Sequence, residues 1–115
     1  MGQQIANYAC QFVGNPYVWG GTSLTNGADC SGFVMSVYAH FGISLPRVAA
    51  SQANAGTSVS VDSLQPGDLL FYHSFGHVAI YIGNGQVVHA SNRATGIKIS
   101  NYNYSPINKA VRIVW

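Results

Sequence analysis

An α+β fold, with N-terminal helices packed on a C-terminal antiparallel β-sheet, is predicted by a change of period along this chain of 115 residues. Up to about residue 55 the apolar side chains recur at helical spacing, whereas from Leu64 onward they fall in short runs separated by Gly, Asn and Pro. Helices first and a meander of strands after is the pattern of segregated layers. No linker, repeat or low-complexity segment interrupts it, so residues 1–115 read as one domain with one core.

The first helix is marked by Ile5, Tyr8, Ala9, Phe12 and Val13, and Gly14 with Asn15-Pro16 stops it. Cys10 falls off that stripe and reads as a structural helix residue. Residues 15–29 are rich in Gly and Pro and read as an ordered loop holding Tyr17 and Trp19. A second helix is expected over 30–41, with Phe33, Val34, Val37, Tyr38 and Phe41 on one broad face. Asp29 is its natural N-cap and Gly42 its stop. Leu45-Pro46-Arg47 leads into a short helical stretch over 48–55, ended by Gly56. After a turn at 65–68, strands are expected at 69–72, 77–82, 86–91, 96–100 and 110–114.

Only 7% of residues are Asp, Glu, Lys or Arg, against about 25% in average domains. The surface must therefore be Asn, Gln, Ser, Thr and Gly. A net charge of +2 without a basic stripe excludes a nucleic-acid footprint. No apolar run approaches the roughly 20 residues that cross a bilayer, so no membrane partner is expected. Met1-Gly2-Gln3-Gln4 lacks the basic and apolar regions of a signal peptide, which reads as a domain excised from a longer exported protein. Metal chemistry needs clustered Cys and His ligands. His73 precedes His77 by four residues, but Ser74-Phe75-Gly76 breaks any helix between them, so neither a metal nor a cofactor is expected. Cys10 and Cys30 could form one disulfide; a lone nucleophile with separated histidines is the preferred arithmetic.

Cys30 sits where loop gives way to helix. Unpaired N–H groups and the positive end of the helix dipole bias a thiol there toward thiolate. His77 opens a strand, and a cysteine on a helix start with a histidine on a strand suggests a papain-like hydrolase. Whether a second histidine, His89, can cooperate depends on the hairpin around Gly83-Asn84-Gly85. A two-residue turn pairing Ile82 with Val87 would put His77 and His89 on opposite faces of the sheet. A three-residue loop, with Gly85 left-handed, pairs Ile82 with Gln86 and Ala79 with His89. His77 and His89 then share a face with Ala79, Tyr81 and Val87, and this second register is the expectation.

Five segments now stand in order: Tyr17-Val18-Trp19-Gly20-Gly21, Asp29-Cys30-Ser31-Gly32-Phe33, Leu45-Pro46-Arg47, Pro66-Gly67-Asp68-Leu69 and Gly76-His77-Val78-Ala79-Ile80-Tyr81-Ile82-Gly83. Together with His89-Ala90 they resemble the NlpC-type family of cell-wall cysteine peptidases over nearly the whole chain. The resemblance implies a papain-like fold and an endopeptidase that cuts peptidoglycan stem peptides after γ-D-glutamate through a thioacyl-enzyme. It implies an extracellular or cell-wall location and a monomer, as one domain of a larger protein with wall-binding modules. The family's catalytic set maps onto Cys30, His77 and His89. Tyr17 matches a tyrosine implicated in substrate or oxyanion contact, and Asp29 an acid that in some members meets the free amine of a trimmed stem. Arg47 and Ser51 fall in a segment that lines the acyl side in relatives.

Residue chemistry supports the same roles. His77 would take the thiol proton and later protonate the leaving amine, while His89 orients the ring. The backbone N–H of Cys30 would donate to the oxyanion. An amidase or related Cys–His acyltransferase is the enzymatic alternative, and a wall-binding module without activity is the other. Asp29 serves equally as cap alone, and Arg47 and Ser51 stay open between substrate contact and holding the loop. Trp19 reads as loop packing, Asp68 as a turn residue, and His40 as a helix-terminal residue meeting free carbonyls.

Overall fold

All 115 residues are described by the computed structural model. Helix α1 (Gly2–Cys10) buries Ile5, Ala6 and Ala9, with Tyr8 and Phe12 half-buried against the same core. It ends earlier than its stripe suggests. The chain leaves the helix at Gln11, Val13 is left exposed, and Gly14 at φ +96° donates its N–H to Ile97 O at 2.8 Å. The expected loop that follows contains a small hairpin, β1 (Thr22–Ser23) and β2 (Gly27–Ala28). Strands of two residues are too short for alternation to register in a sequence.

Helix α2 (Cys30–His40) buries Phe33, Val34, Val37 and Tyr38, and the Asp29 carboxylate caps it by accepting the Gly32 N–H at 2.8 Å. The Tyr38 hydroxyl donates to the carbonyl of Gly67, tying the helix to the turn before the sheet. His40, at the helix end, stacks on Tyr8 with ring centroids 3.9 Å apart. Helix α3 (Ala49–Gln52) is a single turn, shorter than the stretch expected.

The sheet is built from β3 (Thr57–Ser58), β4 (Leu69–Tyr72), β5 (His77–Gly83), β6 (Gln86–Asn92), β7 (Gly96–Asn101) and β8 (Ile107–Arg112). Its order is β3-β8-β4-β5-β6-β7, antiparallel throughout. One face, with Leu69, Phe71, Val78, Ile80, Val88, Ala90, Ile97 and Val111, packs against α1 and α2. Leu70, Tyr72, Ala79, Val87 and Ala110 form a smaller cluster on the other face, covered by Val59, Leu64, Tyr81, Tyr102 and Ile107. The last strand begins at Ile107 rather than at 110, because Phe71 pairs with Lys109 and Tyr72 with Ile107, leaving Asn108 in a bulge. Polar Asn108 and Lys109 hide that strand start from an apolar-alternation reading.

Between β5 and β6, Ile80 pairs with Val88 and Tyr81 with Val87, the register that brings His77 and His89 to one face. The device that sets it differs from the expected three-residue loop. Gly83 pairs with Gln86, so the turn is Asn84-Gly85, both left-handed at φ +54° and +73° as a type I′ turn requires. The extra residue is Ile82, taken up in a bulge between Tyr81 and Gly83.

Candidate active site

Cys30 is the first residue of α2 and opens on a cleft of about 540 Å³ that Tyr17, Asp29, Ser31, Arg47, Phe75, Gly76 and His77 help to line. Its thiol donates to the carbonyl of Gly76 at 3.9 Å. Backbone N–H groups of Val78, Ser31 and Cys30 itself point at the sulfur. Burial nevertheless dominates: it pushes the thiol above its ordinary range, the three N–H groups pull the other way, and the Asp29 charge adds to the rise. The expected bias toward thiolate is therefore corrected. A cysteine only 9% exposed loses more from desolvation of its anion than a helix terminus returns. Both cysteines are free thiols, with Cys10 half-buried at the end of α1.

His77, the first residue of β5, reaches the cleft from the end of the sheet. Its Nε2 lies 2.7 Å from Nδ1 of His89, and Nε2 of His89 lies 2.9 Å from Ser100 Oγ. Two neutral imidazoles can share a hydrogen bond only if one donates and the other accepts. A proton on His77 Nε2 leaves His77 Nδ1 free as a base, and forces His89 to donate from Nε2 to Ser100. Burial, helped by the charge of His73, lowers His77 to about 4. Burial, with His77 and Lys98, lowers His89 to about 3. The pair is thus neutral over the ordinary pH range, under the ring of Tyr104, whose centroid is 5.2 Å from that of His89. Ser100 was missed by sequence reasoning; the alternation of β7 opposite β6 is the signal that could have found it.

Asp29 does more than cap. Its carboxylate takes a bidentate contact from Arg47, Nη1 to Oδ1 at 3.1 Å and Nη2 to Oδ2 at 2.9 Å, and accepts the N–H of Gly20 at 3.0 Å. Burial works against the charged carboxylate, but Arg47 and the two N–H groups hold it below its usual range. Arg47 Nη1 also donates to Ser31 Oγ at 2.9 Å. Gln52, fully buried, anchors this rim by donating to Ser31 O at 3.0 Å and Pro46 O at 2.9 Å. Tyr17 lines the cleft from the opposite loop, held by a bridge to Ala28. Trp19 is 78% exposed at the rim, so it is not the packing residue expected. Ser51 does not line the cleft: the single turn of α3 puts buried Ala49 and exposed Ala50 at the cleft and leaves Ser51 in solvent away from it, and the serine at the site is Ser31.

The family model of the NlpC/P60 family matches residues 14–115. The chain belongs to the NlpC/P60 family. Its fold superposes on the NlpC/p60 domain of the peptidoglycan hydrolase SagA with a TM-score of 0.88 at 38% identity, covering 96% of this chain and 97% of that one. It is 42% identical over 112 residues to a probable endopeptidase of Corynebacterium glutamicum, across 96% of this chain and 53% of that protein. It is also 42% identical over 103 residues to the gamma-D-glutamyl-L-lysine dipeptidyl-peptidase of Bacillus subtilis, across 84% of this chain and 34% of that protein. This NlpC/P60 chain thus spans about half the length, or less, of these two relatives. The resemblance read in the sequence and its α+β fold both hold.

Proposed function

We propose that this NlpC/P60 domain is an endopeptidase that cuts peptidoglycan stem peptides between γ-D-glutamate and the following diamino acid. The observation that carries the reading is the hydrogen-bonded His77–His89 pair, 2.7 Å between ring nitrogens, in the cleft on which Cys30 opens. The Bacillus relative named for the γ-D-glutamyl-L-lysine linkage supports the choice of bond. The lengths of the relatives support a larger protein of which residues 1–115 are the peptidase domain, and membership of the NlpC/P60 family supports work in the cell wall.

In this reading the resting thiol and imidazole are both neutral. As Cys30 Sγ attacks the γ-carbonyl, its proton passes to His77 Nδ1, while His77 Nε2–H stays bonded to His89. The backbone N–H of Cys30, with the Tyr17 hydroxyl, stabilises the oxyanion. The carbon–nitrogen bond then breaks, the proton goes to the leaving amine, and water activated by His77 hydrolyses the thioester. His89, itself neutral, orients the ring rather than balancing its charge. Asp29 and Arg47 neutralise each other and shape the acyl side of the cleft. A substrate amine reaching Asp29 has to compete with Arg47 for the carboxylate.

Wild type and Cys30→Ala incubated with purified muropeptides, followed by mass spectrometry, test the proposal. Fragments cut after γ-D-glutamate are expected from wild type only. Cleavage at the sugar–L-alanine bond would make the protein an amidase, and intact substrate with both proteins would overturn the enzymatic reading.

A further inference from the structure

Beside the catalytic cleft lies a second groove of about 300 Å³, lined by Ala50, Ala53, Asn54, Ser74, Phe75 and Lys109. Ala50 and Phe75 line both, so the two are direct neighbours. Lys109 reaches it from an unusual place. Its strand partner is Phe71, and residues directly opposite in a ladder share a face, so Lys109 stands on the face that otherwise packs apolar side chains against the helices. No acid neutralises it. The chain has three, of which Asp29 is paired with Arg47 and Asp68 with Arg112, while Asp62 lies in the 3-10 turn Val61–Ser63. The groove therefore offers one full positive charge and two neutral hydrogen-bonding side chains, Asn54 and Ser74, with no anion.

The segment that joins groove to cleft is held in a costly conformation. His73, Ser74 and Phe75 are all left-handed, at φ +53°, +54° and +68°. Such residues are disfavoured without glycine, by about 1–2 kcal/mol each. Asn108, in the β8 bulge, secures the turn by accepting the Phe75 N–H at 3.3 Å, and the Gly76 N–H closes it on His73 O at 3.0 Å. The result sets Gly76 beside the Cys30 thiol, Ser74 in the groove, and Phe75 between the two. Strain kept at the junction of two cavities is a mark of a working site.

We infer that this groove is a carboxylate subsite of the peptidase, with the Lys109 ammonium supplying charge and Asn54 and Ser74 supplying hydrogen bonds. The inference rests on the γ-glutamyl reading above and names what that substrate presents there. A glutamate linked through its side chain keeps its α-carboxylate free, and the residue after the cut can carry a second one. Both sources offer the same chemistry, and within the cleft the other cation, Arg47, is already committed to Asp29.

The test reads binding without turnover. In the Cys30→Ala protein, calorimetry compares L-alanyl-γ-D-glutamyl-L-lysine with the same peptide amidated at the glutamate α-carboxyl or at the C-terminal carboxyl. Adding Lys109→Gln should raise the Kd of the free peptide by roughly three- to tenfold, the range for a partly exposed charge-assisted contact. One amidated peptide should already bind weakly and lose nothing further, and it identifies the carboxylate. Lys109→Arg should restore most of the affinity, with the thermal midpoint of each variant unchanged. Equal loss on all three peptides, unchanged affinity in Lys109→Gln, or no binding to the parent would each overturn the subsite. Failure of wild type to cleave would instead strike the proposed function.

Discussion

At buried Cys30 and half-buried His77 both groups are pushed toward their neutral forms, the thiol upward and the imidazole down to about 4. This has a measurable consequence, because a preformed thiolate–imidazolium pair is alkylated fully at neutral pH whereas a neutral thiol reacts only as it ionises. His77 can accept a proton only when it is neutral, above about pH 4, so kcat/KM should fall as pH drops through that value rather than near 6. Alkylation needs thiolate, so the iodoacetamide rate at Cys30 should keep rising through and beyond the ordinary thiol range. A rate that levels off near neutrality would show the ion pair and sink the neutral-pair account. At this scale the sequence told much. That Cys30 and His77 meet at one cleft with His89 behind His77 was legible from residue type and order, whereas the place of Ser100 was not, since its contact depends on register across β6 and β7. The place of Ser51 away from the cleft was not legible, because the exact turn of α3 decides which small residue faces the cleft, and no periodicity resolves a helix of four residues.

At the scale of elements, the first turn of α2 is the best illustration of packing overruling propensity. Replacing a helical glycine by alanine ordinarily stabilises a helix by about 1 kcal/mol. Gly32, however, packs against the loop before the helix, where an added Cβ would lie 2.1 Å from the carbonyl oxygen of Gly21 and 2.9 Å from Asp29 Oδ1. Gly32→Ala must therefore displace backbone and the capping carboxylate together. The expected result is a loss of roughly 1–3 kcal/mol in chemical denaturation, the range for overpacking, together with loss of activity. An unchanged or raised midpoint would show that the Gly21 loop yields freely. The same contrast explains what was legible of the fold. Long periodic elements such as α2 and β5 were readable from pattern, and the face assignments of Ala79, Val87, Val78 and Ile80 followed from register. The I′ turn with a bulge at Ile82 gives the same register as a three-residue loop, so the residues alone did not separate the two devices. The two-residue strands and the start of β8 carried no apolar alternation to read.

The whole molecule is closed by an ion pair that no local pattern reveals. Asp68, in the turn before β4, and Arg112, at the end of β8, are 44 residues apart in the chain, yet Nε meets Oδ1 at 2.8 Å and Nη2 meets Oδ2 at 2.9 Å. Arg112 Nη2 also donates to Ser63 O at 2.8 Å, and its guanidinium lies 4.9 Å from the ring centroid of Trp115. Asp68 further accepts the Gln65 N–H at 2.8 Å, so one buried carboxylate fastens the turn, the central strand and the last strand together. The sequence shows Asp68 as a turn residue only, because its partner lies 44 residues further along the chain and is brought beside it by the pairing of β4 with β8. In chains with 7% charged residues such a pair has few substitutes nearby. Removing the cation alone leaves the carboxylate buried and uncompensated, so Arg112→Met should cost about 3–5 kcal/mol, as broken buried pairs do. Asp68→Asn combined with Arg112→Met removes the stranded charge, and should be clearly less destabilised than the sum of the single variants. The comparison is made by urea denaturation at neutral pH. Additive losses would mean that the two side chains act independently, and that the closure of the sheet rests on backbone pairing of β4 with β8 rather than on this contact.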